Sequence, residues 1–256
     1  MTRSLKLINT EAPNYSLVMT EISKDIIRTL DHVRGLPTAI TMIAGVPGAG
    51  KSETIRRYAQ HHCKKMVQHT AVAGEGKIWD LARALMEQLE IGEPNSRRLS
   101  DSRYEIAAFI GADGNTLIID ESQNLAHKNP RSGVNLETFE WCRAMTEEGG
   151  FSLVFVGDLK LLNIVSELPQ LQRRLRRPVI IRSVSRADVA AIAGTEGVVD
   201  EACIDALHGV SRTHGALGDV VNVCRHAKAF SGNRGVSAAH LLAAIEDLKL
   251  TPGARR

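Results

Sequence analysis

Gly45-Val46-Pro47-Gly48-Ala49-Gly50-Lys51-Ser52 meets the phosphate-loop pattern G-x-x-x-x-G-K-[ST] at every defined position. The flanks supply the context this pattern needs. Before it runs Ala39-Ile40-Thr41-Met42-Ile43-Ala44, apolar and β-branched like a buried strand, and after it Glu53 to His62 reads as a helix. Glycines let the backbone wrap a polyphosphate, and the helix N-terminus turns its free N–H groups toward the anion. Gly45, Pro47, Gly48, Ala49, Gly50, Lys51, Ser52 and Glu53 are therefore the candidate nucleotide contacts. Lys51 is expected to reach the β- and γ-phosphates of ATP, and the Ser52 hydroxyl to ligate Mg²⁺.

Downstream, Thr116-Leu117-Ile118-Ile119-Asp120-Glu121 is an apolar run ending in two acids. A buried parallel strand of this kind delivers Asp120 to the edge of a nucleotide site, where its charge holds the Mg²⁺ shell. Glu121 is then placed to polarise an attacking water. A further run, Phe151 to Val156, ends in Gly157-Asp158 and sets Asp158 where a polar side chain can touch the γ-phosphate or the water; a loop cap is the competing reading. Met66 to Val72 alternates as another strand. Helical stripes are carried by Ile78, Leu81, Leu85 and Leu89, by Tyr104 to Ile110, and by Leu136 to Glu147. Strands alternating with helices predict an α/β fold with a mainly parallel sheet, covered on both faces, whose ligands sit at the carboxyl ends of the strands.

After Ser185 the pattern becomes all-helical. Asp200 caps a helix with Ile204 and Leu207, Gly232 ends a stripe from Leu217 to Ala227, and Ser237 opens a last helix through Leu248. The expected division is a lead of residues 1–37 with one helix capped by Thr20 or Ser23, a nucleotide-binding domain over 38–185, a helical lid over 186–250, and a tail at 251–256. Between domain and lid, residues 173–186 hold arginines at 173, 174, 176, 177, 182 and 186 and no acid. That run suits a solvated basic face, a charge offered across a subunit interface, or contact with a nucleic-acid backbone.

The composition narrows the partners. A hydrophobic content of 43% and a charged content of 24% are those of a soluble globular protein, and a net charge of +3 makes polyanion binding a matter of local clusters. Aromatic residues at 4% argue against gripping single strands by base stacking. Cys63, Cys142, Cys203 and Cys224 form no C-x-x-C pair and read as reduced thiols of a cytoplasmic protein; His61-His62 beside Cys63 point different ways on a helix and make a poor metal site. No run fits a signal peptide or a membrane span, so no membrane partner is expected. Lys77, together with Arg97, Arg98 and Arg103, is the candidate surface for tracking DNA phosphates.

With these pieces in place the chain resembles the AAA+ ATPases, and among them the MuB-like transposition-accessory family of target DNA activators. The resemblance covers roughly residues 18–250 and is carried by GVPGAGKS (45–52), TLIIDES (116–122), LVFVGDLKLL (153–162), LPQLQRRLRRP (168–178) and HGALGDVVN (214–222). It implies an ATPase needing ATP and Mg²⁺ that binds double-stranded DNA with little sequence preference, oligomerises on it as a ring or helical filament, and assists a transposase. It further implies that Asp158 is the sensor 1 residue and that Arg174, rather than Arg173, is the arginine finger. Two departures stand out. The N-terminal helix-turn-helix domain of family members has no room in the 37-residue lead, and Gly218 stands where the lid motif G-x-L-R places its sensor 2 arginine. The other readings are an AAA+ ATPase of a secretion or signalling pathway, and a small-molecule P-loop kinase.

Overall fold

The computed structural model describes residues 18–34, 36–61, 66–112, 114–129, 133–232 and 235–251. Its strands are β1 (Ile40–Gly45), β2 (Met66–Thr70), β3 (Thr116–Asp120), β4 (His127–Asn129), β5 (Gly133–Asn135), β6 (Ser152–Gly157) and β7 (Val179–Ile181). The helices are α1 (Glu21–Arg34), α2 (Lys51–His61), α3 (Ile78–Leu89), α4 (Leu99–Gly111), α5 (Glu137–Gly149), α6 (Lys160–Ser166), α7 (Pro169–Arg174), α8 (Arg186–Thr195), α9 (Glu201–Val210), α10 (Ala216–Ser231) and α11 (Ala238–Asp247).

Five strands make one parallel sheet in the order β2-β3-β6-β1-β7, the architecture expected from the alternating pattern. β1, β3 and β6 are buried along their whole length, because helices cover both faces and leave no polar side for the sequence to mark. On one face Ile43, Ile118, Val154, Val156 and Ile181 pack with α1, α2 and the C-terminal helices; on the other Met42, Leu117, Ile119, Leu153 and Phe155 pack with α3 to α7. Alternate residues of each strand thus feed two separate cores. β6 lies between β1 and β3, so the carboxyl ends that carry the phosphate loop, Asp120 and Asp158 are brought side by side.

Some elements differ from the sequence reading. Helix α4 begins at Leu99 and not near Tyr104, because the Asn95 side-chain oxygen accepts hydrogen bonds from the Arg97 and Arg98 N–H groups and organises the chain one turn earlier. Helices α6 and α7 and the β4–β5 hairpin were not foreseen. They are short, and α7 opens on Pro169, which reads as a breaker although proline suits the first turn of a helix. Of the two proposed caps of α1, Thr20 serves: its hydroxyl accepts from the Ser23 N–H at 3.0 Å, while Ser23 lies inside the helix.

Helices α8 to α11 pack on one another. Ser185 and Asp188 close a capping box at the start of α8, and the other Asp188 oxygen accepts from the Glu21 N–H at 2.6 Å. One buried carboxylate therefore fixes the N-termini of α1 and α8 together. Asp200 and Ser237 cap α9 and α11, and Gly232 stands at the end of α10, as their positions in the sequence predict. Cys142, Cys203 and Cys224 are buried free thiols, and burial pushes Cys224 up to about 12. His62, Cys63 and the His61 side chain lie outside the described residues. Among the described residues no helix is long and apolar enough to cross a membrane.

Candidate functional site

The phosphate loop leaves β1 at Gly45, where a side chain has no space: a Cβ there meets Ile181 Cβ at 2.7 Å. Gly48 and Gly50 take φ values of +72° and +84°, the left-handed backbone that turns successive N–H groups inward. Pro47 and Gly48 are exposed at the tip, and Ala49 is buried beneath it. Lys51 begins α2 and folds back over the loop, its ammonium donating to the carbonyls of Gly45 at 2.8 Å and Val46 at 3.0 Å. Burial holds Lys51 below the ordinary lysine value, opposed by the negative charges of Asp120, Glu121 and Asp158. The three carboxylates singled out from the sequence thus all bear on this one amine.

Ser52 donates its hydroxyl to Asp120 Oδ2 at 2.6 Å, and Asp120 Oδ1 accepts the Glu121 N–H at 2.9 Å. Asp120 is 5% exposed. A hydroxyl and a buried carboxylate drawn together beside a phosphate loop fit Mg²⁺, which takes one or two protein oxygens and completes its shell with phosphates and water. Among the described residues there is no cluster of three His, Cys, Asp or Glu side chains. Glu53 points elsewhere. Burial pushes its carboxyl up, but Arg56 and Arg57 outweigh that and hold it below the usual range.

Glu121 has φ +53°, so the chain turns sharply after β3 into a 3₁₀ turn at Ser122–Leu125 and leaves the Glu121 carboxylate exposed. Asp158 Oδ1 accepts the Lys160 N–H at 2.8 Å, which also makes it a cap of the turn into α6. Gln123 joins the two, its amide donating to Glu121 and its carbonyl accepting the Asp158 N–H at 3.1 Å. Gln123 carries no mark in the sequence, because one carboxamide two residues past an acid pair belongs to no pattern.

Across the loop lies the first turn of α10. The Gly218 N–H donates to the Gly48 carbonyl at 3.1 Å, and a Cβ on Gly48 falls 1.9 Å from the Gly215 oxygen. Arg225, on the same helix, is spent on Glu196 at 3.5 Å. Arg174 pairs with Glu147 of α5, and Arg177 and Arg186 with Asp25 and with Glu201 and Asp205. Among the other candidates, Lys77, Arg97 and Arg98 are exposed with no ion pair among the described residues, whereas Arg103 is held by both oxygens of Glu148.

Two family models match this chain, one described as an AAA domain over residues 36–165 and one as the C-terminal part of the Mu B transposition protein over residues 173–248. The chain is 26% identical over 215 residues to the Mu-like prophage FluMu DNA transposition protein B of Haemophilus influenzae, covering 81% of this chain and 70% of that one. It is 24% identical over 248 residues to the ATP-dependent target DNA activator B of Escherichia phage Mu, covering 94% of this chain and 75% of that one. Among solved structures, Cdc6p of Pyrobaculum aerophilum superposes with a TM-score of 0.68 at 14% identity, over 95% of this chain and 71% of that one.

Proposed function

Because the chain belongs to the AAA family and its C-terminal part is of the Mu B type, we propose that it hydrolyses ATP, assembles on double-stranded DNA and assists a transposase in using that DNA as target. The observation that carries the catalytic half is the Ser52–Asp120 hydrogen bond beside Lys51, with Glu121 next in the chain. The DNA half draws on the two relatives, a DNA transposition protein and an ATP-dependent target DNA activator.

In this reading the loop N–H groups from Gly48 to Ser52 hold the phosphates, and Lys51 leaves the Gly45 and Val46 carbonyls to neutralise them. Ser52 and Asp120 would hold Mg²⁺, which supplies positive charge to the phosphate oxygens. Glu121 accepts a proton from water as the water oxygen bonds to the γ-phosphorus; the bond from that phosphorus to the bridging oxygen breaks, and ADP leaves with the electron pair. Asp158 orients this water from the end of β6. Residues 186–250 act as a lid whose first contact with the loop is the main-chain bond from Gly218. Lys77, Arg97 and Arg98, exposed and without an ion pair among the described residues, meet the DNA phosphates, and Arg103 joins them only by leaving Glu148. A neighbouring subunit supplies Arg174 in a ring or filament.

A gel shift on random-sequence duplex DNA tests the reading. Wild-type protein is expected to retard the duplex in the presence of ATP, and Lys51→Ala not to. Lys77→Ala should weaken binding to all sequences alike and lower the slope of log affinity against log salt by about one. Retardation that is the same with and without ATP sinks the proposal.

A further inference from the structure

Glu121 can serve as a base only if its carboxylate is aimed, and nothing in its own backbone aims it. Its φ of +53° puts it on a left-handed turn, outside the sheet ladder that fixes Asp120, and its side chain is exposed. Gln123 is the one hydrogen-bond partner of the Glu121 carboxylate among the described residues. The 3₁₀ turn carrying Gln123 is itself anchored twice: the Ser122 hydroxyl donates to the Ile119 carbonyl at 2.5 Å, and the Asn124 amide donates to the Ala71 carbonyl at 2.9 Å. At its other end the Gln123 carboxamide enters a space that Gly157 leaves open, since a Cβ at Gly157 falls 2.4 Å from Gln123 Oε1.

We propose that Gln123 is a positioning residue for hydrolysis, a bracket that holds the Glu121 carboxylate through its N–H₂ while fixing the end of β6, and with it Asp158, through its carbonyl. The inference rests on Glu121 being the base. Two groups just past the ends of different strands that must meet one water are thereby set by a single planar amide, whose donor and acceptor lie at fixed separation. A neutral donor suits this task, because it leaves the carboxylate free to take a proton from water while limiting its rotation.

Gln123→Glu separates the two ends of the bracket. The new side chain has nearly the same shape and still accepts from the Asp158 N–H beside Gly157, but it replaces the donor facing Glu121 with a second acceptor. The measurements are steady-state ATPase activity with saturating duplex DNA, affinity for a fluorescent ATP analogue, and thermal melting. Gln123→Glu is expected to lower kcat about tenfold or more, since small misplacements of a reacting group carry penalties of that order. Nucleotide affinity should stay within about twofold, because Gln123 touches no phosphate-binding group. Gln123→Asn, neutral but too short to span both contacts, should lose kcat in the same way and serves if the glutamate variant does not fold.

The decisive arm is the pair Glu121→Gln and Glu121→Gln/Gln123→Glu. With the base removed, the second substitution is expected to cost nothing further. Wild-type kcat in both Gln123 variants, or an equal loss with and without Glu121, overturns the proposal. If Glu121→Gln alone turns over normally, the base assignment itself has failed, and that result is distinct from normal turnover in Gln123→Glu alongside a dead Glu121→Gln.

Discussion

Lys51 shows what partial burial does to a single cation in a site. Burial lowers its proton affinity from the ordinary value of 10.5, and three carboxylates recover only part of the loss. Between the lowered value and 10.5 the unfolded chain holds this proton more often than the folded one. The unfolded state binds more protons there, so the stability of the nucleotide-free protein gains from Lys51 as pH rises through this window. In the proposed function the phosphates are held by the charged ammonium, so ATP affinity is expected to move the other way. Thermal melting across the alkaline range, with Lys51→Met as reference, should show the wild type gaining on the variant without nucleotide while the added stability from ATP shrinks. Parallel trends in both proteins would mean that Lys51 is solvated and bears no such penalty. The residues behind this prediction were legible in the sequence because phosphate chemistry demands them at fixed spacing. Gln123 was not, since its role comes from a turn geometry that one side chain completes.

At the scale of elements, what could be read followed from burial. β1, β3 and β6 appear as unbroken apolar runs because both sheet faces are covered, and α9 and α11 declare their caps at Asp200 and Ser237. The pieces missed, α6, α7 and the β4–β5 hairpin, are too short for a period to emerge, and they are stabilised by neighbours rather than by their own pattern. The docking of α10 on the phosphate loop was also invisible. It uses main-chain atoms of Gly48, Gly215 and Gly218, and backbone contacts leave no residue type to recognise. That geometry sharpens the question of the absent lid arginine. A Cβ at Gly218 lies 3.8 Å from Gly48 Cα, an ordinary contact, so a side chain can start from this position without its Cβ displacing the loop. The substitution also replaces a glycine in the first turn of α10, which recovers at most part of the roughly 0.5–1 kcal/mol that a glycine costs inside a helix. We expect an unchanged or slightly higher melting temperature without nucleotide and about tenfold tighter ATP binding, roughly 1.4 kcal/mol, from a guanidinium brought to the phosphates. Unchanged ATP affinity in a well-folded Gly218→Arg protein would show that this lid senses nucleotide through its backbone bond alone.

For the whole molecule the question is whether one chain is a complete enzyme. Among the described residues the charged groups bearing on Lys51 are the carboxylates of Asp120, Glu121 and Asp158, and charge developing on the γ-phosphate calls for a planar cation beside the lysine. Arg174 ends α7 and rests on Glu147, a carboxylate already shared with Arg143. Both partners are partly exposed, and leaving such a surface pair costs only about 0–1 kcal/mol. Arg174 is thus held loosely enough to be offered to another chain, and Glu147 keeps Arg143 when it goes. A contact in which this edge meets the phosphate loop of the next subunit is head-to-tail, which propagates as a ring or a helix, and DNA bound along the assembly favours its growth. Fingers of this sort are worth roughly 10³ or more in rate, so Arg174→Ala should lose nearly all DNA-stimulated ATPase activity while still binding ATP. Mixing Arg174→Ala with Lys51→Ala on duplex DNA then separates a shared site from a self-contained one. Each variant alone forms only defective interfaces, but the mixture contains some in which an intact loop faces an intact finger. Recovered turnover that rises and falls with the mixing ratio, highest near equal parts, is the expected result. Normal turnover by Arg174→Ala alone would move the finger to Arg173, which is exposed beside it, and a dead mixture would place the missing charge within a single chain.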